Sequence, residues 1–180
     1  MRQKTDGSYY TTLELIRDIL VAEMGIDIER VNIFNQKFKI PTDDGLFITI
    51  EANGAPQIMS NRNITVPTIN SFTEVQEINT REMIAVSFMS RNLDAYTRAP
   101  EALMAIASLK AQQVCEQNAF KIARISPIVN LSGLEGSAML YRYEISLVVF
   151  GWYEKTKAGD YFDTFTADLY TEKEEVHILT

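Results

Sequence analysis

Leu140-Tyr141-Arg142-Tyr143-Glu144-Ile145-Ser146-Leu147-Val148-Val149-Phe150-Gly151-Trp152 alternates over its whole length. Tyr141, Tyr143, Ile145, Leu147 and Val149 share one face; Arg142, Glu144, Ser146, Val148 and Phe150 share the other. A side-chain period of two is that of a β-strand. Upstream, Phe120–Val129 repeats the signal, with Ile122 alternating against Ala123 and Ile125, and Asn130–Ser137, with two glycines, reads as a loop. In Met83–Ser90, Ile84, Val86 and Phe88 alternate with Met83, Ala85, Ser87 and Met89. Both of its faces are fairly apolar, which predicts a central strand covered on two sides. Glu74–Ser90 holds one long strand or two short ones interrupted near Asn79-Thr80.

Between these strands, Pro100–Asn118 has helical spacing, and Pro100-Glu101 suits a first helical turn. At 100° per residue, Leu103, Met104, Ala107, Ala111, Val114 and Cys115 form a stripe for the sheet. Ile106 and Leu109 project outside that stripe. Either their own chain covers them, or they form an apolar patch for another subunit. From Arg81 to Trp152 the order is thus strand, helix, strand, strand.

The flanking segments brace or extend this unit. Thr11-Thr12-Leu13-Glu14 is a capping box opening a helix whose apolar face is Leu13, Leu15, Ile16, Ile19, Leu20 and Met24, with Gly25 as its exit. Val31, Ile33 and Phe34 suit a short strand, Phe38 and Ile40 another, and Pro41–Gly45 a turn. Leu46–Glu51 alternates again. The region 52–79 mixes Asn, Gly and Pro with short apolar pieces such as Ile58-Met59. It reads as surface loops with a hairpin, or as an extended arm adding main-chain hydrogen bonds to a neighbour's sheet edge. Lys155–Asp160 reads as a turn, Tyr161–Tyr170 as a returning strand and Thr171–Thr180 as a loose acidic tail. The expectation is one α+β domain over residues 1–180, a mostly antiparallel sheet with two main helices against it.

The chemistry is sparse. A net charge of −7 and a pI near 4.8 argue against general DNA or RNA binding, which needs clustered Lys and Arg. Cys115 is the single cysteine and sits in a helical pattern, where a buried thiol outweighs a nucleophile. His177 is the single histidine, three residues from the end, with nothing rigid to make it a catalytic base. There is no zinc spacing, phosphate loop or calcium loop, so no catalytic, cofactor or metal residue is assigned. Asp160, Asp163 and Asp168 give the C-terminal segment a negative cast that reads as a solvated face rather than a carboxylate pair. No apolar stretch approaches the ~20 residues of a membrane helix.

Short elements fall in order along the chain: Asn35-Gln36-Lys37; Pro41 with Asp44-Gly45-Leu46-Phe47; Ala111-Gln112-Gln113; Phe120-Lys121-Ile122-Ala123-Arg124-Ile125; Asn130-Leu131-Ser132; Tyr141-Arg142-Tyr143-Glu144-Ile145; Asp160-Tyr161-Phe162-Asp163. This ordered series, from about Asn35 to Thr164, resembles the tailed-phage neck and tail-terminator proteins. The resemblance implies a structural, non-enzymatic virion subunit, assembled in the host cytoplasm and built into the tail or neck. It implies a ring, usually a hexamer, capping the head-proximal end of the tail tube, stopping polymerisation and supporting head–tail joining. The implied partners are further copies of the chain, the tube protein, a neck or head-completion protein and the sheath. Genome DNA would pass through the channel without specific binding, and there is no membrane partner and no cofactor. Interface candidates on this reading are Ile106, Leu109, Ile58, Met59, Tyr161 and Phe162. Competing readings are another connector, tail or baseplate subunit, an enzyme using the C-terminal acids, or a monomeric ligand-binding domain.

Overall fold

Two long strands carry the fold in the computed structural model, which describes residues 11–34, 41–67, 71–135 and 138–160. Strand β4 (Ser71–Ser90) and strand β8 (Ala138–Asp160) pair antiparallel without a break from Ser71↔Asp160 to Ser90↔Tyr141. The two outer edges of this ribbon recruit the remaining strands. On the β4 side, β2 (Phe47–Ala52) pairs with residues 84–89, and β1 (Val31–Ile33) adds to β2 in parallel. Farther along that edge, β3 (Gln57–Pro67) pairs with residues 72–81. Four residues of one strand, 53–56, face residues 82 and 83 of the other, so β2 and β3 are one edge strand interrupted by a wide bulge. Asn53 N–H donates to Met83 O across it (2.7 Å), and Gly54 supplies a φ of +97° that a side chain would resist. On the β8 side, β5 (Phe120–Ile125), β6 (Val129–Asn130) and β7 (Gly133–Glu135) follow one another along residues 138–151.

Helices α1 (Thr12–Met24), α2 (Asp94–Ile106) and α3 (Leu109–Gln117) cover one face of one half of this sheet. There Ile84, Val86 and Phe88 of β4 lie beside Ile145 and Leu147 of β8 and Ile48 and Ile50 of β2, all fully buried. Leu15, Ile16, Ile19 and Leu20 of α1 close over them, and α2 contributes Ala95, Ala99, Ala102 and Ala105. The alanines let α2 approach the sheet closely. Fully burying one large apolar side chain contributes about 1.5–3 kcal/mol, so this half carries the hydrophobic core. The mostly antiparallel sheet with helices on one side is the expected α+β fold.

Several local expectations differ from the structure. The capping box is present, with Glu14 N–H donating to Thr11 Oγ1 and Thr11 N–H to Glu14 Oε2. The helix predicted as Pro100–Asn118 is two helices, begins at Asp94 and places Pro100 inside α2. Its start is fixed instead by Ser90 Oγ and Asn92 Oδ1, which accept from Ala95 and Asp94 N–H. Ser108 breaks the run by capping α3, its hydroxyl accepting from Ala111 N–H at 3.0 Å. Because the axis changes there, a single helical projection mis-sorts the faces: Met104 and Ala107 are exposed, while Ile106 is buried. Residues 155–160 are strand rather than turn, because β4 supplies a paired backbone throughout. Asn79-Thr80 does not interrupt β4. The second face of β4 is mixed, with Ala85 and Ser87 buried and Met83 exposed. Ser87 joins a polar group there, donating to Glu144 (2.8 Å), which also pairs with Arg142 (2.9 Å). Phe38 and Ile40, the returning strand 161–170 and the tail 171–180 lie outside the described residues.

Candidate functional site

Beyond the helices, the β4–β8 ribbon continues with no covering layer among the described residues. Residues 71–80 of β4, flanked by β3 and by residues 151–160 of β8, form a three-stranded arm. At about 3.3 Å per residue it reaches about 30 Å past the core. Residues 72–79 of its central strand are half-buried, and β3 is exposed except at Ile64. A central strand with both faces accessible has nothing packed on it among the described residues.

The two faces differ in chemistry. On the helix side, Asn61, Asn63, Thr65, Gln76, Lys155 and Lys157 make a polar surface. The opposite face brings Ile64 and Val66 beside Val75 and Thr73, with Thr156 and Ala158 completing the rows. Nearer the core, that face holds the row Arg62, Glu77, Glu154. Hydrogen bonds stiffen the root: Asn79 Nδ2 donates to Ser60 Oγ (2.8 Å) and Arg81 to Gln57 Oε1 (3.2 Å). The Tyr153 hydroxyl donates to Glu82 Oε1 there (3.5 Å). Burial, then the nearby Glu82 carboxylate, raises the Tyr153 pKa above its ordinary value, while contacts with Thr12 and Thr80 oppose the shift.

A second feature is an apolar groove of about 650 Å³ at the arm's root. Ile106, Cys115, Phe120, Ile122, Ile125 and Trp152 line it. Chemically it is poor ground for catalysis. Burial pushes the Cys115 thiol pKa up, which keeps it protonated and weakly nucleophilic. Among the described residues, no cluster of three or more His, Cys, Asp or Glu could hold a metal ion, and no helix is long and apolar enough to cross a membrane. His177, Asp163 and Asp168 lie outside the described residues, and the side chain of Asp160 is likewise not described.

The six interface candidates divide. Ile58 and Met59 sit on β3, 67% and 59% exposed. Leu109 opens α3 and is 71% exposed. Ile106, at 5%, belongs to the core and the floor of the groove. It is no surface residue of the folded chain. Tyr161 and Phe162 lie outside the described residues. The arm brings Ile58 and Met59 to one edge, whereas Leu109 stands on the helical layer. Sequence reasoning missed a further exposed pair at the β7–β8 hairpin, Leu134 opposite Met139. A loop-like Gly-Leu-Glu-Gly segment concealed its register.

The family model described as phage neck terminator protein matches residues 12–175. No curated protein matches the chain.

Proposed function

This chain belongs to the phage neck terminator protein family, and we propose that it is a structural subunit of a ring capping the head-proximal end of a phage tail. The ring, a hexamer on this reading, ends tube polymerisation and offers its other side to a neck or head-completion protein. The observation that carries the reading is the arm: a regular three-stranded sheet kept outside the core, with half-buried Val75 and Ile78 on opposite faces. Such a surface gains its stabilisation from partners, and a ring subunit needs separate contacts to two neighbours, tube and neck. Ile58, Met59 and Leu109 are contact residues in this assembly. The work is binding and geometry, so the protein is not an enzyme and needs no cofactor. Its place is the virion neck, after assembly in the host cytoplasm. The net negative charge keeps passing DNA from adhering to the channel.

Native mass spectrometry and electron microscopy test this. The expected result is a closed ring, or monomers that assemble on the ends of purified tail tubes and halt their growth. A chain that stays monomeric and leaves tube ends free to elongate overturns the assignment. Rings that bind the portal side and not the tube would assign the subunit to another connector.

A further inference from the structure

We propose that, within the ring, arms join edge to edge through strand β8 of one copy and strand β3 of the next, with Glu154 seated beside Arg62 of that next copy; this rests on the ring reading above. The observation is a charge row that the single subunit leaves unbalanced. Arg62, Glu77 and Glu154 are in cross-strand register on one face. Glu77 has Arg62 on one side, but Glu154 has only Glu77 beside it, and like charges directly opposite are destabilising. Neither the Arg62 nor the Glu154 side chain makes an ion pair or hydrogen bond among the described residues, and both residues are exposed. The row therefore ends in an uncompensated anion at one edge and in a cation at the other.

Strand direction then decides the pairing. Both β3 and β8 run antiparallel to β4, so they are parallel to each other. Copies related by a ring axis keep their arms pointing the same way, so β8 meets the neighbour's β3 in parallel. With Glu154 beside Arg62, residues 153–158 align with residues 61–66. Thr156 then falls beside Ile64 and Ala158 beside Val66 on one face, and Lys155 beside Asn63 on the other. Among the described residues no strand pairs with the outer edge of β3, nor with that edge of β8 beyond the Trp152 N–H, which donates to Ala119 O. Edge strands are usually defended by bulges and prolines. The defences of β3 lie at its ends, a register shift at Met59 and a proline at Pro67, leaving residues 61–66 regular and open.

The test uses the full chain and two readouts. Arg62→Glu and Glu154→Arg should each weaken ring formation, by about two- to fivefold per interface from loss of an exposed pair, and further from the new repulsion. The double reversal should restore it, whereas the thermal stability of the subunit should shift additively: slightly down for Arg62→Glu, which loses its attraction to Glu77, slightly up for Glu154→Arg, which gains one, and back to the wild-type value with both. In a Cys115→Ser background, mixing a Glu154→Cys chain with an Arg62→Cys chain should give mixed-chain disulfide dimers. Paired strands lie about 4.8 Å apart, inside the roughly 4.4–6.8 Å span a disulfide tolerates. A ring that forms normally in both reversals and gives no mixed-chain cross-link overturns this pairing, and so does the same edge proving to be covered by residues 161–180 of its own chain. A wild-type chain that forms no ring, alone or on tubes, overturns the ring reading itself.

Discussion

Replacing Ile106 and Leu109 separately by alanine separates two neighbours that look alike on a helical projection. Ile106 is 5% exposed and packs in the core cluster with Ala102, Ala105 and Phe120. Truncating a buried Ile to Ala costs about 2–5 kcal/mol, more where the cavity cannot relax. Here one wall of the site borders the 650 Å³ groove, so the vacated volume merges with existing open space. That places the cost at the low end, about 2–3 kcal/mol. In a chain of this length each kcal/mol lowers Tm by about 2–4 °C, giving a loss of about 5–10 °C. Leu109 is exposed and occupies the first position of α3, where Leu and Ala have similar helix propensity. Its truncation should stay within about 0.5 kcal/mol. Urea denaturation followed by circular dichroism, under monomeric conditions, reads both values. Equal losses for the two variants, or an unchanged midpoint for Ile106→Ala, would refute the placement of the α2–α3 break. The same Leu109→Ala chain should assemble less readily, because that side chain is proposed as a contact.

Other outcomes follow from single contacts. Thr11→Ala removes the acceptor for Glu14 N–H and should lower stability by about 1 kcal/mol; no change in the urea midpoint would mean the cap is frayed in solution. Asp43 accepts from Arg30 (2.7 Å) and from Gly45 N–H (2.9 Å), and these bonds, with the Arg30 hydrogen bond foremost, hold its pKa below the ordinary carboxylate range. A depressed folded pKa means the contribution is present above the unfolded pKa near 3.9 and is lost as pH falls through the folded value. Asp43→Asn should therefore flatten part of the acid limb of stability against pH, and an unaltered limb would contradict the bond. Cys115 should react with a thiol reagent at pH 8 more slowly than free cysteine, since burial raises its pKa; a rate above that of free cysteine would overturn the assignment of an inert thiol.

The local elements were legible where one physical signal acted alone. Thr11, Glu14 and Gly25 set the bounds of α1, and the alternation of Ile145, Leu147 and Val149 placed a strand with its buried face correctly. The break between α2 and α3 was not legible, because Ser108 is ordinary in a helix until its hydroxyl caps the next one. Nor was the full length of β8. Lys155, Thr156, Lys157, Ala158 and Gly159 have the composition of a turn, and become strand because Gln76 through Phe72 lie opposite to satisfy their backbone. Ile58, Met59 and Leu109 are exposed apolar residues, while for Ile106 a projection along one straight axis left cover by its own chain and an apolar patch open, and the fold buries it.

By itself, the amino-acid sequence determined the α+β class and its local elements, since composition, period and caps are local properties and each residue carries its own. The tertiary structure decided which half of the β4–β8 ribbon is core and which is arm. Residues 71–80 and 81–90 are both good strand, and only the docking of α1, α2 and α3 over one of them separates the two. Burial depends on what lies opposite in space. The registration of Arg62, Glu77 and Glu154 into one row has the same origin: residues distant along the chain become neighbours only when strands pair.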